Sequence, residues 1–251
     1  MATEARQQII DRYSQLARSA LAGRAITDDD ADAFGDGRFG AAAYADHEDA
    51  PETALRASLG CGNPLAVADL HPGEDVLDLG SGGGLDVLLS ARRVAPTGIA
   101  YGLDASPDML ALARFNASKE QSSNARFLHG HIEAIPLPDN HVDVVISNCV
   151  ISLSGDKPRV IAEAFRVLKP GGRLGISDIT VDEDADQAHL ALAEQQIGCQ
   201  ASFLTQPEYK RLLLTAGFTQ VTVTSTSQAA PGLQSAIVQA TKPVADQHGG
   251  R

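Results

Sequence analysis

Cys61, Cys149 and Cys199 are the only three cysteines in the 251 residues, and they carry the most direct chemistry in the chain. An odd number of widely spaced thiols disfavours structural disulfides, and no Cys-x-x-Cys pair or His-Cys cluster offers the spacing of a zinc site. Cys61 lies in Gly60-Cys61-Gly62-Asn63-Pro64, just before an expected helix start. Free N–H groups there stabilise a thiolate, so its thiol should be comparatively acidic. Cys149 follows the apolar run Val142 to Asn148, at what should be the carboxyl end of a strand. In open α/β sheets ligands bind at that edge. Cys199, in Ile197-Gly198-Cys199-Gln200, falls in an expected helical excursion between the fifth and sixth strands that can fold back over the same edge. Taken singly, each thiol reads as a small buried hydrophobe. Their chemistry depends on being gathered.

A second constellation is the run Val76-Leu77-Asp78-Leu79-Gly80-Ser81-Gly82-Gly83-Gly84-Leu85-Asp86, a strand that passes through glycines into a helix. Gly80 and Gly82 let the chain turn sharply and leave bare backbone on which a cofactor can lie. The dinucleotide fingerprint requires glycine three positions after Gly82, and Leu85 stands there, so the loop is a poor NAD site. Asp104 follows Gly84 by 20 residues, where a carboxylate accepts paired ribose hydroxyls in nucleotide sites of this topology. Asp86 reads as a first-turn residue complementing a helix dipole. Glu133, after the third strand, fits a solvated turn residue as well as a ligand.

The elements that must position these groups alternate short aliphatic runs with longer helical patterns, which predicts a doubly wound, mainly parallel α/β sheet. Seven strands are expected: 75–80, 99–104, 125–129, 142–148, 173–179, 219–225 and 234–240. An amphipathic helix is expected over 1–21, a loop over 23–44, and helix starts at Asn63-Pro64 and Ser106-Pro107. Lys169-Pro170-Gly171-Gly172 should end a helix running over about 156–168. We divide the chain into an N-terminal helical segment with a substrate-side loop (1–60), a catalytic domain (61–243) and a flexible tail (244–251). The composition is that of a globular protein, 43% hydrophobic and 21% charged, and a net charge of −12 repels phosphate backbones and argues against nucleic acid. Neither a membrane span nor a secretion signal is found, so a cytoplasmic protein with no membrane partner is expected, monomeric by default.

The loop with Asp78, Gly80, Gly82 and Gly84 resembles motif I of the class I SAM-dependent methyltransferases. Asp104, His131-Ile132-Glu133 and the segment Phe165 to Leu174 match further stretches of that pattern, covering most of 76–178. Gly-Cys61-Gly-Asn-Pro-Leu, Ser-Asn-Cys149-Val-Ile and Gly-Cys199 extend the likeness: from about Phe39 to Pro243 the chain resembles arsenite methyltransferases. The resemblance implies S-adenosyl-L-methionine (SAM) as cofactor, held by Asp78, Gly80, Ser81, Gly82, Gly84, Asp104, Ala105, Ile132, Glu133 and Asn148, with Ile132 on the adenine ring. It implies that Cys61, Cys149 and Cys199 bind As(III) as the metalloid substrate, and that a thiol reductant, thioredoxin or glutathione, restores the metalloid between rounds of methylation in arsenic detoxification. Two other readings stay open: a small-molecule C- or O-methyltransferase, and a thiol-based arsenic-binding protein. The chain departs from the family in lacking a cysteine pair near Tyr44 to Pro51, in carrying Ser152 after Cys-Val-Ile, and in reading Asp104-Ala105-Ser106-Pro107 after the second strand. These departures bear on substrate range and on the number of methyl groups added.

Overall fold

The computed structural model describes residues 2–22, 64–66, 68–186 and 202–244. Within them lie seven strands, β1 (Val76–Leu79), β2 (Ala100–Asp104), β3 (Ala125–His129), β4 (Val142–Asn148), β5 (Leu168–Val181), β6 (Thr219–Ala230) and β7 (Leu233–Thr241), and five α-helices, α1 (Ala2–Leu21), α2 (Leu85–Val94), α3 (Pro107–Lys119), α4 (Lys157–Val167) and α5 (Gln206–Thr215). One sheet runs in the order β3-β2-β1-β4-β5-β7-β6. β1 to β5 are parallel, whereas β7 is antiparallel to both of its neighbours. β1 is buried at all four positions, as a central strand covered on both faces must be.

The chain leaves β1 toward β2 and β3 on one side, then returns to place β4 on the other. The carboxyl ends of β1 and β4 therefore diverge into loops at a reversal of strand order, where open α/β sheets form a crevice. Local chemistry sets the helices around it. Ser106 caps α3 by accepting the Met109 N–H at 3.2 Å, with Pro107 in the first turn. Asp156 caps α4 in the same way, accepting from the Arg159 N–H at 3.1 Å. α1 packs Leu16, Ala17 and Ala20 against Met109 and Leu112 of α3, bringing its amino-terminal half over the crevice.

Three expectations change. At Pro64 there is a single 3-10 turn, Pro64–Ala66; Asn63 lies outside the described residues. The Lys169–Gly172 segment belongs to a bulge between the pairs Val142/Leu168 and Val144/Arg173, so β5 begins earlier than expected, once α4 has ended at Val167. β6 and β7 are longer than expected because they form one hairpin about Pro231-Gly232, with Gly232 at φ 78°, and each strand extends the other's ladder. The loop at 23–44 and the excursion carrying Cys199 lie outside the described residues, as does the tail beyond Val244. Among the described residues no helix is long and apolar enough to cross a membrane.

Candidate active site

A cleft opens at the carboxyl edge of β1, β2 and β4. Its floor is the glycine loop. Gly80 sits at φ 72°, and a Cβ there would lie 2.4 Å from a Val150 methyl, so only glycine allows β1 to turn beneath the loop that follows β4. The Gly80 and Ser81 N–H groups donate to the Leu103 carbonyl at 2.8 and 2.9 Å, which ties the loop to β2. Asp104 completes the tie: its Oδ2 accepts the Gly82 N–H at 2.9 Å and its Oδ1 the Ser106 N–H at 2.8 Å. Its carboxylate is thereby oriented, and each oxygen keeps acceptor capacity for a further donor.

The electrostatics of this floor are unusual. Asp78 is buried, its carboxyl accepts no hydrogen bond from the described residues, and it faces the charges of Asp86 and Asp104. Burial first, then those two carboxylates, push its carboxyl well above the usual carboxylate range. Asp104 is also pushed up by burial, against the pull of the Ser106, Gly82 and Ala105 N–H groups and of His129. Among the described residues three carboxylates face one loop, and a ligand bearing an ammonium or sulfonium beside Asp78 and Asp104 would relieve their shifts. Asn148, at the end of β4, points its Nδ2 toward Asp86 Oδ2 at 3.5 Å.

The walls come from distant parts of the chain. Gly130, His131, Ile132 and Glu133 form one side, and Cys149, Val150, Leu153 and Ser154 another. Arg6, Ile9, Ile10 and Tyr13 of α1 form a cover over both. Glu133 is no solvated turn residue: its Oε1 accepts from Arg6 at 3.0 Å and from the Ser154 hydroxyl at 2.7 Å, linking cover and wall. The Ser14 and Ser106 hydroxyls, 2.8 Å apart and buried, fasten α1 to the α3 cap.

Asp78, Gly80, Ser81, Gly82, Asp104, Ala105, Ile132, Glu133, Asn148 and Cys149 all line this one cleft. Gly84 does not; at φ 86° it is the N-cap of α2, where a Cβ would press on Ala113 and Phe127 at 3.1 to 3.2 Å. Cys149 itself adopts φ 56°, in the left-handed region that a non-glycine residue rarely occupies, and donates its N–H to Ser177 O at 2.8 Å. It is disulfide-bonded, which corrects the expectation against disulfides at this position. Cysteine number and spacing report on the cellular compartment, whereas a disulfide needs only two sulfurs in one place. Cys61 and Cys199 lie outside the described residues.

Comparison with known proteins agrees with this geometry. A family model described as a methyltransferase domain matches residues 70–217. An arsenic(III) S-adenosylmethionine methyltransferase from Chlamydomonas reinhardtii has a solved structure that superposes with a TM-score of 0.66 at 31% identity, covering 82% of this chain and 75% of that one. The chain belongs to the arsenite methyltransferase family. The arsenite methyltransferase of Halobacterium salinarum is 38% identical over 233 residues, 88% of this chain and 59% of that protein. Its counterpart in Aquipseudomonas alcaligenes is 42% identical over 139 residues, 53% of this chain and 39% of that protein. The chain thus spans between about two fifths and three fifths of the length of these two curated relatives. Within the family frame, sequence reasoning missed the contribution of α1. Its apolar face at Ile9, Ile10 and Tyr13 was legible as helical periodicity, but nothing local shows what that face covers.

Proposed function

We propose that this protein is a SAM-dependent methyltransferase whose acceptor is trivalent arsenic, as arsenite or methylarsenite, held by the thiolates of Cys61, Cys149 and Cys199. One observation carries the reading: Cys149 stands on the wall of the cleft whose floor is the acidic glycine loop, so a thiolate-held atom and a cofactor on that loop share one space. Cys149 is disulfide-bonded in this structure, so the reading applies to the reduced protein, in which its sulfur is a thiolate able to hold a thiophilic atom. When bound, SAM supplies a sulfonium methyl group for transfer and leaves as S-adenosylhomocysteine. Asp78 would receive its ammonium, Asp104 its ribose hydroxyls, and Ile132 would pack against its adenine. The sulfur ligands form a pyramid on arsenic and leave its lone pair facing the cleft. That lone pair is already nucleophilic, so positioning replaces a general base. A thiol reductant, thioredoxin or glutathione, returns the metalloid to the trivalent state. We assign the chain the cytoplasm and a monomeric state, with 61–243 as the catalytic unit.

The test is incubation of the reduced protein with SAM and arsenite, with methylated arsenicals separated and counted. Cys149→Ser and Cys199→Ser should each abolish methylation of arsenite and leave SAM affinity unchanged, whereas Cys61→Ser should spare methylarsenite, in which carbon replaces one sulfur ligand. Full arsenite turnover in either of the first two variants overturns the three-thiolate reading. Arsenite binding without any methylated product would leave a thiol-based binder, and SAM turnover on carbon or oxygen acceptors alone would leave a generic small-molecule methyltransferase.

A further inference from the structure

The two halves of α1 are held by different means. Its carboxyl half is packed: Leu16, Ala17 and Ala20 are buried against Met109 and Leu112 of α3. The Ser14 and Ser106 hydroxyls meet at 2.8 Å in a buried contact, and Arg18 donates to Asp108 Oδ2 at 2.8 Å. The amino half projects over the cleft, with Ile9 and Ile10 only half-buried. There the Arg6 guanidinium donates to Glu133 Oε1 at 3.0 Å, across a separation of 127 residues. Arg6 stands eight residues before Ser14, so this contact acts at the end of a lever about 12 Å long.

Glu133 is set to receive it. Its backbone carbonyl accepts from Arg159 Nε of α4 at 3.1 Å, and its Oε1 also accepts from the Ser154 hydroxyl at 2.7 Å. The Ser154 hydroxyl is itself oriented, because its oxygen accepts the Asp156 N–H at 3.1 Å and so turns its proton toward Glu133. The Glu133 side chain is 14% exposed and that of Arg6 43%, so the carboxylate belongs to the wall while the guanidinium can swing into water. An ion pair this open contributes little to folding. Its leverage lies elsewhere. Arg6, Ile9, Ile10 and Glu133 all line the cleft, so breaking the pair frees the end of the cover and leaves the packed half of α1 in place. Charge favours the same role: the Glu133 carboxylate neutralises the Arg6 cation above a floor of carboxylates suited to a positively charged ligand.

We propose that Arg6 is a positioning residue: its grip on Glu133 holds the amino half of α1 closed over the cofactor, and release of that grip opens the cleft for cofactor exchange. The inference rests on the reading that SAM lies on the glycine loop, and its test separates the two. Release of tritiated SAM into excess unlabelled SAM is timed in the parent protein, Arg6→Ala, Arg6→Lys, Glu133→Gln and the Arg6→Ala/Glu133→Gln double variant. Melting temperature and amide hydrogen exchange are measured on the same proteins without cofactor. Arg6→Ala should speed SAM release about threefold or more, the scale of one partly exposed ion pair. In the cofactor-free variant, amides 7–12 should exchange about threefold or more faster, while amides 14–20 and the melting temperature stay as in the parent. Arg6→Lys, which keeps the charge, should restore most of the release rate. In the Glu133→Gln background Arg6→Ala should change nothing further, because the two residues act as one contact. Release from Arg6→Ala at the parent's rate overturns the proposal, and so do effects of Arg6→Ala and Glu133→Gln that simply add. If the parent protein binds no SAM, the reading of the glycine loop fails, while exchange at residues 7–12 still decides whether Arg6 holds α1 down.

Discussion

Asp104 shows how much one carboxylate can organise. It binds N–H groups of the glycine loop and of the α3 cap with its two oxygens, so its loss disturbs two elements as well as a ligand contact. Asp104→Ala should weaken SAM binding about tenfold or more, measurable by calorimetry, because hydrogen bonds to a charged partner are worth about 1.5–3 kcal/mol. Asp178 makes a different prediction. Burial pushes its carboxyl up to about 6 from an ordinary 3.8, against the Ile179 N–H, the Tyr209 and Ser152 hydroxyls and the Lys157 charge. Between those two values the folded chain binds more protons than the unfolded chain, so stability falls as pH rises through the window and levels off above it. A shift of that size corresponds to about 3 kcal/mol. Asp178→Asn should flatten this part of the pH profile and be the more stable form at neutral pH, as read from urea unfolding at a series of pH values. Of these two aspartates, Asp104 was legible from its spacing to the loop. Asp178 was not, since its partner Tyr209 lies 31 positions away with no local signal.

At the scale of elements, the glycine loop and α1 set the cleft. Gly80→Ala combines left-handed strain with overlap on Val150 and should cost about 3 kcal/mol and abolish SAM binding. Gly82→Ala meets nothing within 4 Å and carries only the strain of φ 49°, about 1 kcal/mol. Thermal unfolding and calorimetry on the pair check the contrast. For α1, Leu16 is buried against Met109 and Leu112, so Leu16→Ala should cost about 2 kcal/mol. It should also weaken SAM binding, because α1 supplies Ile9, Ile10 and Tyr13 to the cleft. Helix ends were readable because caps are local: Ser106-Pro107 forms the N-cap and first turn expected of it. The capping box of Thr205 and Glu208 at the start of α5 was there to be read as well. The Arg6–Glu133 pair, 127 residues apart, could not be.

For the whole molecule, a cofactor that binds only the folded state should raise the unfolding temperature. Saturation to about a hundred times the dissociation constant adds about 2.7 kcal/mol, or roughly 5–10 °C for a chain of this size. Differential scanning fluorimetry with SAM or S-adenosylhomocysteine should show that rise, and Asp104→Ala should lose most of it. The amino-acid sequence by itself determined the alternation of strands and helices, the glycine turn after β1, the carboxylate after β2 and the likeness to a family, because periodicity, φ preference and motif spacing act within a few residues to a few tens of residues. It did not determine the single 3-10 turn at Pro64, the full length of the β6–β7 hairpin, the left-handed backbone at Cys149 or the disulfide there. Tertiary structure decided those, together with the cover formed by α1 and the buried Asp178–Tyr209 hydrogen bond, because each depends on burial and on partners that only the folded sheet brings within reach of one another.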